Sequence, residues 1–227
     1  MLTAPGLCWL CRMPLKIGSW GVCSVCTRAL APRAVCCPRC GLPAAHPHLP
    51  CGRCLQKPPP WEALVAVSPY APPLSGLIHH LKFSRGCQLA PPLARLLLLA
   101  VLHARRTRRL TRADMIVNVP LHQRRHWRRG YNHSDLLCRP LARWLGCRCP
   151  SQALQRVRAT AIQHQLSARR RKKNLRNAFR LELPVTGLHI AIVDDVVTTG
   201  STVAELSRLL LQSGAASVQV WCLCRTL

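Results

Sequence analysis

The chain has 227 residues, 49% of them hydrophobic, with Lys plus Arg at 33 against Asp plus Glu at 7, a formal charge of +26. That length allows one ordinary domain, or one domain with a small appended module, and the charge favours anionic partners such as nucleic acid, nucleotides or phosphates. Nothing near the N-terminus reads as a signal peptide. The most apolar stretch, 89–102, carries Pro91, Pro92 and Arg95 and has about 14 residues where a bilayer span needs ~20, so the expectation is a cytoplasmic protein with no membrane insertion.

The first segment is rich in cysteine. Nine of the 15 cysteines lie in the first 54 residues, and eight of them form four CxxC pairs: Cys8/Cys11, Cys23/Cys26, Cys37/Cys40 and Cys51/Cys54. The gaps between pairs are 11, 10 and 10 residues, which makes an internal repeat. Each CxxC sets two sulfurs on one tight turn, at the bite of a tetrahedral ion with Zn–S near ~2.3 Å. Gly41 and Gly52 would let a backbone amide approach a sulfur without hindrance from Cβ. Eight thiolates make two structural zinc sites, paired sequentially or in a cross-braced order. Cys36, next to Cys37, could substitute for it, though only Cys37 completes the spacing. A cytoplasmic chain disfavours structural disulfides, and a redox CxxC occurs once rather than four times in series. Residues 1–57 hold few large apolar side chains and seven basic residues with no acid, so metal binding must supply their folding free energy. Cys87, Cys138, Cys147, Cys149, Cys222 and Cys224 read as small hydrophobes.

Residues 58–60 are a stiff Pro-Pro-Pro linker, and the composition changes after it, so residues 61–227 read as a second domain. Trp61 to Tyr70 alternates like a strand. Residues 74–83 have helical apolar spacing at 74, 77, 78 and 81, and 93–106 reads as a helix. Met115 to Pro120 is a short apolar strand, and 132–145 is a helix with Leu136, Leu137, Leu141 and Leu145 on one stripe. Leu188 to Val193 is a buried strand, 202–213 a helix closed by Gly214, and 217–224 a last strand. This alternation predicts an α/β domain with a parallel sheet. Two stretches without pattern are strongly basic: 121–130, with four Arg, and 156–176, with eight basic residues and no acid. They read either as solvated faces or as phosphate-facing loops.

The segment Ile190 to Thr202, IAIVDDVVTTGST, carries the most specific chemistry. The apolar strand is expected to end at Asp194-Asp195, two of only seven acids in the chain. Val196, Val197, Thr198, Thr199, Gly200, Ser201 and Thr202 then form a hydroxyl- and glycine-bearing turn into a helix. In such a unit the ligand lies at the carboxyl ends of the strands. The helix N-terminus and the hydroxyls suit a phosphate, and two carboxylates suit the vicinal hydroxyls of a sugar. Together these describe a ribose 5-phosphate site. Neither G-x-x-x-x-G-K-[ST] nor G-x-G-x-x-G is present.

This segment closely resembles the signature of type I phosphoribosyltransferases, which bind 5-phosphoribosyl 1-diphosphate (PRPP). The resemblance extends over the whole chain. The four CxxC pairs, LKF at 81–83, VPL at 119–121, RRGYN at 128–132 and NAF at 177–179 are similar to the ComF family, and particularly its GntX branch of DNA-utilisation and competence proteins. Tyr131 stands where Phe is usual.

The resemblance implies a type I phosphoribosyltransferase fold behind a small zinc-ribbon-like module. Asp194 and Asp195 would contact ribose hydroxyls and take part in catalysis, and 196–202 would hold the 5-phosphate. Arg128, Arg129 and Gly130 would bind diphosphate, Mg²⁺ would bridge diphosphate and ribose oxygens, and 156–176 would close over the site. It also implies a role in DNA uptake or in using DNA as a nutrient, beside a DNA-uptake helicase, with a phosphoribosyl group transferred to a nucleobase-type acceptor. The alternative is a non-catalytic factor that binds single-stranded DNA through its charge and through Trp20, Trp61, Trp127 and Trp144.

Overall fold

The computed structural model describes residues 6–31, 34–83, 86–120, 132–157 and 178–227. Four parallel strands form its main sheet in the order β1 (Ala63–Pro69), β6 (Ser217–Arg225), β5 (His189–Val197), β2 (Met115–Asn118). Parallel sheets need both faces covered, and these strands are accordingly near-continuous apolar runs. Ala63, Val65, Val67, Ala191, Val193, Trp221 and Leu223 share one core cluster with three helices: α3 (Leu74–Phe83), α4 (Ala90–Arg108) and α5 (His133–Leu145). On the opposite face Leu64, Val117, Ile190, Ile192, Val218 and Val220 pack with α6 (Ser201–Gln212) and with a small hairpin of β3 (Leu154–Arg156) and β4 (Phe179–Leu181). The expected α/β architecture with a parallel sheet is present.

Helix ends follow the local chemistry. Pro91 and Pro92 occupy the first turn of α4, where a missing amide N–H leaves no bond unmade. Asn132 caps α5 by accepting from the Ser134 amide at 3.0 Å, and Gly146 closes it in the left-handed conformation. The segment Cys87–Arg108 is, among the described residues, long and apolar enough to cross a membrane by length and composition alone. It exceeds its apolar run because the helix continues through basic residues to Arg108. Here Leu93, Ala94, Leu96, Leu97 and Val101 are buried in the core, and α4 packs against α5 and β1.

Two elements differ from the sequence reading. β5 does not end at Val193 but runs on to Val197, because β6 keeps pairing with it: Asp194 stands opposite Cys222, Val196 opposite Cys224 and Val197 opposite Arg225. The turn into α6 is correspondingly shorter. The β3–β4 hairpin was not foreseen, since three-residue strands carry no readable period. The cysteine-rich segment supplies two short helices, α1 (Ser24–Leu30) and α2 (Gly52–Gln56). Cys8, Val22 and Leu30 of this segment join the core cluster of α3, α4 and α5.

Candidate functional site

The eight paired cysteines gather into two groups, Cys8/Cys11/Cys23/Cys26 and Cys37/Cys40/Cys51/Cys54, each with its sulfurs within 4.8 Å of one another. The pairing is therefore sequential rather than cross-braced. Tetrahedral Zn–S bonds near ~2.3 Å put sulfurs about 3.8 Å apart. The Sγ atoms of Cys11 and Cys23 are 3.8 Å apart and those of Cys40 and Cys51 are 3.7 Å apart. The donor set and its dimensions fit a tetrahedral thiolate-bound ion at each site. Cys36 stands outside the second group, its thiol turned to the Ala34 carbonyl.

Amides reach the sulfurs, though not those of the two glycines. Cys23 N–H donates to Cys8 Sγ at 3.4 Å, Cys26 N–H to Cys23 Sγ at 3.4 Å and Cys51 N–H to Cys37 Sγ at 3.3 Å. Gly41 N–H donates to the Cys37 carbonyl instead. Its φ of +71° and the 2.7 Å that would separate a Cβ from Leu64 Cδ2 explain the glycine. Burial raises the Cys8 thiol, but the amides of Cys11, Cys23 and Leu10 outweigh it and bring it down to about 6. Cys37 is brought to about 7 in the same way, by the amides of Cys51, Cys40 and Arg39. Burial and the neighbouring sulfurs drive Cys26 and Cys54 strongly upward.

The second site lies at the carboxyl end of the sheet. After Val197 the chain turns through exposed Thr198 and Thr199 and buried Gly200. Gly200, at φ +76°, is the N-cap of α6 and offers its first amides no side chain, and no acid stands in the first turn. A Cβ at Gly200 would lie 3.2 Å from Cη2 of Trp61, so the ring holds the turn from beneath. Thr199 Oγ1 and Ser201 Oγ are 2.8 Å apart, and Ser201 N–H donates to Thr199 Oγ1 at 3.4 Å. The result is a cluster of hydroxyls over a helix N-terminus, which carries a partial positive charge.

The two carboxylates beside this turn have different environments. Asp195 is buried and takes Lys82 Nζ at 2.9 Å and His133 Nε2 at 3.0 Å. Asp194 is half-buried and accepts from the Asp195 amide at 2.9 Å and from Ser134 Oγ at 3.4 Å. Burial, then the adjacent Asp195 charge, push the Asp194 carboxyl up to about 8 from the ordinary 3.8. Burial acts in the same direction on Asp195, but the His133 hydrogen bond and the Lys82 ammonium override it and hold that group well below the usual range. The pair thus divides into a permanent anion locked inward and a carboxyl that keeps its proton near neutrality until something stabilises its charge.

Lys82, His133 and Ser134 were assigned no role from sequence. Lys82 lies inside LKF and His133 directly follows RRGYN, so position beside a motif was the available signal. Among the tryptophans named for stacking, Trp61 is buried and donates Nε1–H to the Arg39 carbonyl at 2.6 Å, which removes it from any exposed platform. Trp20 is partly exposed beneath Arg95, and Trp144 is exposed. Trp127, Arg128, Arg129, Gly130 and residues 158–176 of the basic stretch lie outside the described residues.

Comparison with known proteins gives full-length relatives. The chain is 71% identical over 227 residues to the DNA utilization protein YhgH of Escherichia coli strain K12, covering 100% of both. It is 70% identical, with the same coverage, to the protein of that name in Salmonella typhimurium strain LT2. Competence protein F of Haemophilus influenzae is 42% identical over 223 residues, 96% of each chain. No protein-family model matches the sequence. Among solved structures the chain is similar to a phosphoribosylpyrophosphate synthetase from Mycobacterium smegmatis, at 18% identity and TM-score 0.35, covering 56% of this chain and 31% of that one. It is also similar to a hypoxanthine phosphoribosyltransferase from Staphylococcus aureus, at 12% identity and TM-score 0.38, covering 59% and 62%.

Proposed function

The chain belongs to the ComF/GntX family of DNA-utilisation and competence proteins, and on that premise we propose that it binds PRPP at the carboxyl end of its sheet, in the service of DNA uptake or utilisation in the cytoplasm. One observation carries this reading: the hydroxyl turn at 198–201, exposed at Thr198 and Thr199 and set on the N-terminus of α6, follows by two residues a pair of carboxylates whose environments differ. The 5-phosphate would take the Thr198, Thr199, Ser201 and Thr202 hydroxyls and the first amides of α6. Asp194 would accept hydrogen bonds from the ribose hydroxyls, with Asp195, Lys82 and His133 fixing its position from below. Mg²⁺, when bound with PRPP, would supply neutralisation of the diphosphate. Arg128, Arg129 and Gly130 are assigned to the diphosphate by family resemblance alone. Both cysteine groups hold zinc in this reading, as structural ions.

If a phosphoribosyl group is transferred, positive charge develops at C1 as diphosphate departs. Positioning and charge stabilisation then matter more than a strong base, and Asp194 is the carboxylate available to that charge. Asp194→Asn keeps the neutral shape of the residue and removes the negative charge. Isothermal titration with PRPP and Mg²⁺ should show affinity weakened roughly tenfold or more, the worth of a charged hydrogen bond. Equal affinity in the two proteins would sink the assignment.

A second reading is supported by the +26 charge and by exposed Trp144: the protein also binds single-stranded DNA by neutralising its backbone. Affinity for an oligonucleotide should then fall on the order of 10³-fold between about 50 and 200 mM salt if six or more phosphates are contacted. A flat salt response would remove this reading and leave PRPP binding untouched.

A further inference from the structure

The second cysteine group and the hydroxyl turn are joined by two side chains. Trp61 is the first: its Nε1–H donates to the carbonyl of Arg39, between Cys37 and Cys40, at 2.6 Å, and the far edge of the same indole lies against Gly200. Arg225 is the second. It is buried at the end of β6, with Nε donating to the Cys40 carbonyl at 2.9 Å and Nη1 to the Val197 carbonyl at 3.0 Å, to the Thr198 carbonyl and to the Thr226 carbonyl at 2.8 Å. Both therefore take one end of their grip from the Cys37–Cys40 turn and the other from the 197–200 turn.

The charge balance supports the same connection. No carboxylate pairs with Arg225 among the described residues. A buried guanidinium without a counter-charge is costly. Four thiolates around one Zn²⁺ carry a net charge of −2, so an occupied second group would set a compensating charge beside Arg225. Backbone contact reinforces this, since Leu64 N–H donates to the Pro38 carbonyl at 2.9 Å. Emptying the group would free the Cys37–Cys40 turn and remove both the charge and the fixed carbonyls that hold Trp61 and Arg225.

We propose that Trp61 and Arg225 are positioning residues that make the shape of the hydroxyl turn depend on metal occupancy of Cys37/Cys40/Cys51/Cys54, so that the anion site is competent only when that group is filled. Its consequence for ligand rests on reading 198–201 as a phosphate turn, whereas the coupling itself does not. The first group has no such path to this turn among the described residues; its contacts run to α4, through Arg95 to the Val22 carbonyl and Trp20.

Hydrogen exchange of the full-length, zinc-loaded protein tests the coupling without any ligand. Peptides covering 198–203 should exchange about tenfold faster in Cys51→Ser, corresponding to about 1.4 kcal/mol, and should be unchanged in Cys11→Ser of the first group. Arg225→Gln and Trp61→Phe should raise exchange in the same peptides with zinc content retained. Trp61→Phe deletes both the N–H donor and the far ring edge that lies against Gly200, so it breaks both ends of the Trp61 link and serves if Arg225→Gln fails to fold. Exchange in the turn that stays unchanged when the second group is emptied would overturn the proposal, and so would a uniform rise through α4 and β6. PRPP affinity should fall with faster turn exchange. A responsive turn in a wild type that does not bind PRPP would uphold the coupling and overturn the ligand reading.

Discussion

Exchanging Asp195 for Asn should lower the thermal midpoint by roughly 6–12 °C, a loss of about 3 kcal/mol in a domain of this size, while Asp194→Asn should raise it at neutral pH, because the amide is spared the proton uptake that folding demands of the carboxyl. The two substitutions are chemically identical and one residue apart, so the contrast isolates environment. At Asp195 the change strips the counter-charge from the partly buried Lys82 at 2.9 Å and the anionic partner from His133 Nε2 at 3.0 Å. Removing one member of a buried pair costs far more than the pair contributes, because the remaining charge has nowhere to go. At Asp194 the native carboxyl is pushed up to about 8, and an amide reproduces its neutral form. The Asn oxygen can still accept from the Asp195 amide and from Ser134 Oγ.

The pH dependence separates them further. Asp195 is held below the ordinary carboxylate value, so its contribution is present above that value and lost as pH falls through the folded pKa. Asp194 has the opposite sign. Its folded pKa lies above the ordinary 3.8, so the fold binds the proton more tightly than the unfolded chain does. That contribution is present below 3.8 and is lost as pH rises toward about 8. Urea midpoints at about pH 5 and pH 8.5 should decline in the wild type and decline less in Asp194→Asn. Identical slopes would mean that Asp194 is ionised throughout.

The hydroxyl turn was legible because its chemistry is written in adjacent residues: a glycine with positive φ, four hydroxyls and two acids within one segment. The cysteine groups were legible for the same reason, since repeat spacing alone limits the pairings. The pairing of Asp195 with Lys82 and His133 was not, because it is made by α3, α5 and β5 meeting on one face of the sheet. No local pattern records that meeting. Arg225 lies just past the strand read at 217–224 and carries no motif of its own, and only the carbonyls of two other segments reveal its use. The end of β5 was misplaced because adjacent acids look like a strand terminus. Inside the sheet, however, the backbone ladder to β6 continues, and donors from α3 and α5 satisfy the carboxylates.

Purified protein should carry two zinc ions per chain by the four-ligand rule, and stripping them should unfold the second cysteine group before the α/β core. The expected effect is large, since structural zinc contributes an apparent ~10–16 kcal/mol at neutral pH. Burial cannot replace it at the second group. Cys37, Cys40 and Cys54 form a separate small cluster whose apolar support beyond the cysteines is, among the described residues, Leu42 and Ala44. The first group is better anchored, because Cys8, Val22 and Leu30 belong to the core shared with α3, α4 and α5. Metal binding must also displace protons from Cys26 and Cys54, which burial and neighbouring sulfurs drive upward, so zinc should be released as pH falls. Cys54→Ser should therefore expose trypsin sites at Arg39 and Arg53 while the sheet stays protected. Cys26→Ser should leave Arg28 cut more slowly, since the segment around it keeps Leu30 in the core. Absence of zinc from protein purified without chelators would overturn the metal assignment for both groups, and equal cutting at the two sites would show that the core does not support the first group.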